Sequence, residues 1–216
     1  MEDKVKFIYV MDPLCGWCFG FSQVSVKLYE MYHHLLDFQL VVGGLMEGSR
    51  VGPLQEVAPF IPNALHIVEE GCQVTFGQLY LENIIEANDT LNSRAMNKLI
   101  KTAGWLKPHR VFHAAAAIQK AHYEMGIPSE NSEELAYAIE TSGFNAEDLI
   151  GGSGSEKANQ LVLHDYDFVR SNSLGGFPCC LLETSSGYQV LSQGYTSFAE
   201  MKAKIEQCLP EITQYY

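Results

Sequence analysis

The hydrophobic pattern at the start of the chain predicts a β-α-β unit. Lys4–Val10 is rich in β-branched and aromatic residues and runs into the turn residues Asp12-Pro13, which is typical of a buried strand. From about Cys15 to Leu36, apolar residues recur at steps of three and four, as on one face of a helix. A second apolar run, Phe38–Val42, ends at Gly43-Gly44. This order favours a parallel pair of strands.

The middle of the chain has a different pattern, with helical spacing from about 53 to 150. We expect four to six helices there and no strand. Asn131 and Asn145 each precede acidic residues, which predicts helix N-caps. Gly151–Gly154 predicts a flexible joint, and Ser155 predicts the cap of a further helix.

Strand character returns near the end of the chain. Cys179–Glu183 and Tyr188–Leu191 are separated by the polar turn Thr184–Gly187, which predicts a hairpin. Ser197–Glu200 is a capping-box pattern at the start of a last helix, which Pro210 ends. The predicted fold class is therefore α/β with an inserted all-helical block.

Composition and charge narrow the classes of partner. With 216 residues and 47% apolar composition, the chain can bury a full core without disulfides or metals. The 26 acidic and 14 basic residues give a net charge of −12, which repels nucleic acid and anionic membranes. The start of the chain, from Met1 to Lys4, lacks the basic and apolar pattern of a secretory leader, and no run reaches the ~20 apolar residues of a membrane span. We expect a cytoplasmic protein with no nucleic-acid or membrane partner.

Two of the six cysteines, Cys15 and Cys18, have a spacing that supports redox chemistry. Disulfide exchange needs a thiolate within reach of a second thiol that resolves the mixed disulfide. At a helix start the backbone N–H groups favour a charged sulfur, so Cys15 is the expected attacking thiol and Cys18 the covered one. Gly16 leaves the approach open, and the ring of Trp17 can pack against a substrate. Structural thiols or half of a zinc site are the alternatives, but no second Cys-x-x-Cys supplies further ligands, so no metal is expected.

The remaining candidate residues have competing explanations. Asp12 can tune the thiols, but an Asp-Pro pair is also an ordinary end to a strand. Cys179 and Cys180 point to opposite faces of a strand, so at most one of them can approach the active thiol. We expect buried strand cysteines at these two positions, and packing roles for Cys72 and Cys208.

Three motifs resemble the DsbA-like branch of the thioredoxin superfamily, specifically its predicted cytoplasmic protein-disulfide isomerases. They are Asp12–Phe21, Val42–Leu45 and Gly176–Pro178. The resemblance spans nearly the whole chain and implies a thioredoxin fold interrupted by a helical domain. We therefore predict a discontinuous thioredoxin-like domain of residues 1–52 and 151–216, with residues 53–150 as the helical insertion.

The resemblance also implies roles for residues outside the cysteine pair. Pro178 matches the family's cis-proline beside the cysteines, and Phe177 would contact the substrate. Gly16-Trp17 departs from the proline and histidine of extracytoplasmic DsbA proteins, so a strongly oxidising potential is not expected. The implied activity is thiol–disulfide exchange without a cofactor. Its partners would be cysteine-containing peptides or proteins and a cellular thiol reductant or oxidant.

Two other functions compete with disulfide exchange. One is a glutathione-dependent enzyme of the kappa-class transferase or 2-hydroxychromene-2-carboxylate isomerase type, whose members usually lack the second cysteine, so Cys18 argues against it. Glutathione's two carboxylates would also need cations, and the nearest in sequence are Arg50 and Arg170. The other is a non-enzymatic sensor of oxidants, which turnover of a disulfide substrate would exclude.

Overall fold

The computed structural model describes residues 4–184 and 187–210, which form a four-stranded sheet, a short strand pair and ten α-helices. The strands are β1 (Lys6–Met11), β2 (Asp37–Val42), β3 (Gly52–Pro53), β4 (Thr90–Leu91), β5 (Cys179–Thr184) and β6 (Gly187–Gln193). The helices are α1 (Gly16–Tyr32), α2 (Leu54–Val57), α3 (Ile61–Cys72), α4 (Gln78–Tyr80), α5 (Ser93–Leu106), α6 (Val111–Tyr123), α7 (Ser132–Ala138), α8 (Ala146–Ser153), α9 (Glu156–Ser171) and α10 (Phe198–Cys208). Short 3-10 turns lie at Gly48–Arg50, Pro108–Arg110 and Glu140–Ser142, and a π-helical stretch at Leu81–Glu86 continues α4.

The main sheet has the strand order β2-β1-β5-β6. β1 and β2 are parallel, with Lys6 opposite Asp37, which confirms the predicted β-α-β unit. β5 is antiparallel to both of its neighbours, with Val10 of β1 opposite Cys179. This register brings the segment before β5 next to the end of β1, where α1 begins. The predicted hairpin is present, although the tip of its turn, Ser185-Ser186, lies outside the described residues.

The two faces of the sheet bury different sets of side chains. Tyr9 and Cys180 belong to the large core shared with α1 and the helical block. Ile8 and Cys179 belong to a smaller cluster on the opposite face, against Phe168 of α9. The prediction that the two adjacent cysteines point to opposite faces is therefore confirmed.

The segment between β2 and α9 is mainly helical, as predicted, but it contains seven helices rather than four to six. Two of these, α2 and α4, are single turns. The expectation of no strand is wrong at one point, because Gly52–Pro53 pairs with Thr90–Leu91. A strand of two residues is too short to show a period of two in the sequence.

The predicted joint at Gly151–Gly154 is wrong. Helix α8 continues through these glycines to Ser153 and contacts α5. A Cβ on Gly152 would overlap the methyl group of Thr102 in α5, so this glycine permits close packing between the helices. The proposed division after Ile150 falls inside this helix; the domain boundaries remain a prediction.

Local helix signals agree closely with the structure. The side chains of Asn131, Asn145 and Ser155 each accept a backbone N–H at a helix start. Ser197 forms the predicted capping box at the start of α10. No helix formed by the described residues is long and apolar enough to cross a membrane, and residues 1–3, part of the segment considered for a leader, lie outside those described.

Candidate active site

Cys15 is the N-cap of α1 and Cys18 lies in its first turn. The backbone N–H of Cys18 donates a hydrogen bond to the sulfur of Cys15 at 3.3 Å. Cys15 is 7% exposed, whereas Cys18 is completely buried. The helix start thus leaves Cys15 slightly exposed, supports its sulfur with a backbone donor and buries Cys18 completely.

The Phe177-Pro178 peptide bond is cis, as predicted. The thiol of Cys15 donates to the carbonyl oxygen of Phe177 at 3.5 Å, so this segment directly contacts the exposed sulfur. The ring of Phe177 lies so close to Gly43 that a Cβ there would overlap it. The Gly43-Gly44 turn and the segment before β5, which are far apart in sequence, therefore meet beside Cys15.

Burial keeps Cys18 in its neutral form. It raises the pKa of the Cys18 thiol well above its ordinary value, and a hydrogen bond to Cys15 and the charge of Cys15 act in the same direction. The hydroxyl of Tyr9 lies next to this thiol and has no hydrogen bond of ordinary geometry to a described residue. Of the two sulfurs, that of Cys18 is therefore held as a neutral thiol by its surroundings.

Asp12 is completely buried behind the cysteine pair. Its carboxylate accepts hydrogen bonds from the N–H groups of Leu14 and Leu45, at 2.9 and 3.0 Å, and from the Ser93 hydroxyl at 2.8 Å. Burial raises the pKa of Asp12 to about 6, even though these donors act to lower it. The carboxyl group therefore changes its charge close to physiological pH, and its charge in turn raises the pKa of Cys18.

Helix α5 supplies polar groups that the sequence did not reveal. Ser93 accepts a hydrogen bond from the N–H of Met46 at 3.0 Å while it donates to Asp12. The side-chain amide of Asn97 donates to the carbonyl of Gly43 at 2.5 Å and to the Tyr166 hydroxyl at 2.9 Å. A serine and an asparagine near a helix start are common, and only their position in space links them to the site.

A pocket of about 280 Å³ opens beside Cys15, between the start of α1 and the helical block. Trp17 lines its mouth and is 36% exposed. Apart from the Cys15 thiol, the lining contains only uncharged side chains. The lining residues are Leu14, Cys15, Gly16, Trp17, Leu45, Met46, Phe60, Ile61, Ala64, Leu65, Val68, Phe76, Tyr80, Tyr123, Gly175 and Phe177.

A second pocket shares Phe177 and contains the two arginines named from the sequence. Arg50 donates to the carbonyl of Gly44 at 2.5 Å, and Arg170 pairs with Asp167. Glu47 lines the same pocket and places a negative charge near these cations. The cations therefore lie near the site, but outside the apolar pocket at Cys15.

The other four cysteines are free thiols. Burial raises the pKa of Cys72 and Cys179 to about 11, and that of Cys180 still further. Cys72 packs against Gly20, where a Cβ would overlap its side chain. Its position at the end of α3, beside the active-site helix, could not be deduced from the sequence. Cys208 is partly exposed and accepts a hydrogen bond from Gln189 at 3.3 Å.

The parallel pair β1–β2, the antiparallel pair β5–β6 and the helical block between them form a DsbA-like thioredoxin fold with a helical insertion. The structure is similar to that of a protein from Nitrosomonas europaea described provisionally as a protein disulfide isomerase. The two share 21% identity over 97% of this chain and 99% of that one, with a TM-score of 0.82.

The cytosolic disulfide reductase DsbM from Pseudomonas aeruginosa is also similar, with 24% identity, coverage of 95% and 98%, and a TM-score of 0.79. A second structure of DsbM, with GSH, shares 23% identity over 95% of this chain and 99% of that one, with a TM-score of 0.77. A 2-hydroxychromene-2-carboxylate isomerase shares 14% identity over 97% and 98% of the two chains, with a TM-score of 0.66. No family model matches the sequence, and no curated protein matches it. At these identities the similarity establishes the fold.

Proposed function

We propose that this protein is a thiol–disulfide oxidoreductase that acts through Cys15 and Cys18. The observation that carries the proposal is the geometry of the pair: Cys15 lines an open pocket at a helix start, accepts the N–H of Cys18 and contacts the Phe177 carbonyl. An N-cap position and a backbone donor both favour a thiolate. The buried Cys18 is held one helical turn away, where it can resolve a mixed disulfide.

The reaction has two exchanges. The Cys15 thiolate attacks a substrate disulfide, forming a new S–S bond as the substrate bond breaks and one substrate thiolate leaves. The sulfur of Cys18 then attacks Cys15, releases the second substrate thiol and gives the Cys15–Cys18 disulfide. The substrate is reduced by two electrons, and a cellular dithiol or thiol pair returns the enzyme to its reduced form. The same steps in reverse oxidise a substrate, and the reduction potential decides the direction.

Asp12 is proposed as a tuning residue for the resolving step. Cys18 must lose its proton before it attacks, and an ionised Asp12 opposes the development of negative charge on that sulfur. Because its pKa is about 6, Asp12 gains or loses its negative charge in the pH range where the enzyme would work. Protonation of Asp12 would therefore make Cys18 easier to ionise. The reactivity of Cys18 therefore depends on a carboxyl group that the substrate never touches.

The proposed substrates are cysteine-containing peptides or proteins. Trp17 is exposed at the pocket mouth, and Phe177 and Pro178 form the segment that contacts Cys15. These residues offer aromatic surface and the backbone of the cis-proline segment beside the thiol, which suit an extended chain better than a compact anion. A cytoplasmic location is part of the proposal, supported by the similarity to a cytosolic reductase.

The glutathione-dependent alternative is favoured by the two arginines beside Phe177 and by the similarity to DsbM with GSH and to the isomerase. Against it, Cys18 is present and the lining of the pocket at Cys15 offers no cation. We expect glutathione binding too weak to measure by calorimetry at millimolar concentration. Micromolar affinity, with no activity on insulin or scrambled disulfides, would favour the isomerase or transferase instead.

Turnover of insulin disulfides with a dithiol reductant tests the main proposal. The wild type should turn over, and Cys15→Ser should be inactive. Cys179→Ser is the matched control, because that thiol is buried on the opposite face of the sheet. Equilibration of the Cys15–Cys18 couple with glutathione buffers would then give the potential and the favoured direction. Activity that survives in Cys15→Ser would refute the proposed nucleophile.

A further inference from the structure

The pocket at Cys15 has the size and lining of a site for a small aromatic group. Its volume is about 280 Å³, and a dry apolar cavity of ~150 Å³ already holds a benzene ring. Phe60, Leu65 and Val68 form a wall on the side of the helical block, and Phe177 lies on the side of the sheet. A ring with a short substituent would therefore fill it.

Two tyrosines add polar groups to this apolar pocket. Tyr80 is 2% exposed and Tyr123 is 3% exposed, and neither hydroxyl hydrogen-bonds to a described residue. The hydroxyl of Tyr9 is fully buried in the core, whereas Tyr80 and Tyr123 both line the pocket. A nearly buried hydroxyl without a partner is unfavourable, so a ligand that supplies an acceptor would be stabilised there.

The tyrosines and the reactive sulfur belong to one site. The two rings pack together, with centroids 5.1 Å apart, and Cys15 lines the same pocket. The charge of Cys15 acts on the Tyr123 hydroxyl. Because the lining offers no cation, a carboxylate would lose its hydration there without compensation, and an uncharged ligand is favoured.

We propose that this pocket binds small uncharged aromatic disulfides and thiols whose ring carries a hydrogen-bond acceptor away from the sulfur, with Tyr80 and Tyr123 as the donors. The inference rests on the proposed exchange chemistry and names a substrate class for the same thiol. It differs from the extended peptide of the main proposal, because the selected group enters the pocket instead of lying across its mouth.

A balanced reaction can be written for 4,4′-dithiodipyridine, which is uncharged at neutral pH and has an acceptor nitrogen opposite the sulfur. The Cys15 thiolate bonds to one sulfur, the reagent's S–S bond breaks, and pyridine-4-thiolate leaves and takes up a proton. The Cys18 thiol then attacks Cys15, and its proton passes to the second pyridine-4-thiolate. The reagent gains two electrons, and the protein becomes the Cys15–Cys18 disulfide.

Stopped-flow absorbance provides the first test, with the reduced protein and two reagents. Each rate is divided by that of free cysteine, so that the intrinsic reactivity of the reagents cancels. We expect 4,4′-dithiodipyridine to be preferred over the dicarboxylate 5,5′-dithiobis(2-nitrobenzoate) by roughly tenfold or more, the effect of one satisfied buried group. Equal normalised rates would overturn the proposal.

Conservative variants locate the donors. Tyr80→Phe and Tyr123→Phe should each reduce the preference by roughly three- to tenfold. Tyr137→Phe is the matched control, because its hydroxyl bonds to Glu147 on the surface of the helical block. Retention of the full preference in the Tyr80→Phe, Tyr123→Phe double variant would refute the role of the tyrosines. The comparison of reagents in the wild type does not depend on any variant folding.

A ligand that cannot exchange separates this inference from the main proposal. The thioether 4-(methylthio)pyridine should bind the Cys15→Ser protein and quench or shift the fluorescence of Trp17, and the double tyrosine variant should bind it more weakly. Exchange on insulin without thioether binding would refute the pocket assignment and leave the main proposal intact. Thioether binding without exchange on any disulfide would support the pocket and refute the oxidoreductase.

Discussion

The two sides of the cysteine pair differ sharply in chemistry. On the open side, Cys15 borders a pocket whose lining is mainly apolar and includes the rings of Tyr80 and Tyr123. On the buried side, Asp12 lies in a set of hydrogen bonds with Ser93 and two backbone N–H groups. Under the proposed exchange chemistry, one side can select the group that reaches Cys15, and the other can adjust the proton of Cys18.

The helical block contributes to both sides. Val68 of α3 and Tyr123 of α6 line the pocket, whereas Ser93 and Asn97 of α5 supply the polar contacts. The start of α1 and the segment before β5 supply the two cysteines and the cis-proline. The helical block, which follows the cysteines by several tens of residues in the chain, therefore forms much of the environment of the thiol pair.

The largest expected effect concerns the separate roles of the two sulfurs. Cys18→Ser should accumulate mixed disulfides with substrates, because the resolving thiol is missing, whereas Cys15→Ser should accumulate none. Non-reducing gels and mass spectrometry after incubation with a disulfide peptide would measure this. Equal trapping by both variants would mean that the open and buried sides do not divide the chemistry as argued.

The second prediction concerns the charge on the buried side. Because the pKa of Asp12 is raised from 3.8 to about 6, the folded protein holds this proton more tightly than the unfolded chain does. Its contribution to the free energy of unfolding should fall by up to ~3 kcal/mol as pH rises from about 3 to about 7, and then stay constant.

Denaturant titrations at several pH values test this as the difference between wild type and Asp12→Asn. That difference should change across the window, since the variant cannot titrate at this position. Asp167→Asn is the control, because this carboxylate is exposed on the surface. In that variant the free energy of unfolding should depend on pH as it does in the wild type. A constant difference between wild type and Asp12→Asn would show that Asp12 does not titrate there.

The third prediction tests the packing that holds the pocket wall against the active-site helix. Gly20→Ala should destabilise the protein by about 1–3 kcal/mol, because the new methyl group would overlap Cys72 of α3. Gly151→Ala is the matched control, since this helical glycine has open space and should gain up to ~1 kcal/mol. Thermal unfolding of both variants would decide, and equal stability changes would contradict the close contact.

The smallest effect is a difference in alkylation rate between two thiols. Cys15 should react with iodoacetamide near neutral pH faster than Cys208, although Cys208 is more exposed, because the helix start favours the Cys15 thiolate. Mass mapping after short exposures would measure both rates. Faster modification at Cys208 would mean that exposure outweighs the electrostatics of the helix start.

Local features of the chain could be predicted without the structure. The strand before the cysteines, the position of Cys15 at a helix start, the hairpin and four helix caps each depend on residues close together in the chain, where propensity and hydrogen-bonding rules act directly. The cis bond before Pro178 was predicted from family resemblance, since its base rate alone is low.

The surroundings of the two thiols depend instead on contacts between elements that are distant in sequence. Ser93, Asn97 and Tyr123 reach the site through the packing of helices that lie about 75 to 110 residues further along the chain, and no local pattern encodes which of their faces meet Cys15. The prediction of a flexible joint at Gly152 is wrong for the same reason. A glycine required for close helix packing and a glycine in a flexible joint are identical in sequence, and the neighbouring helix alone distinguishes them.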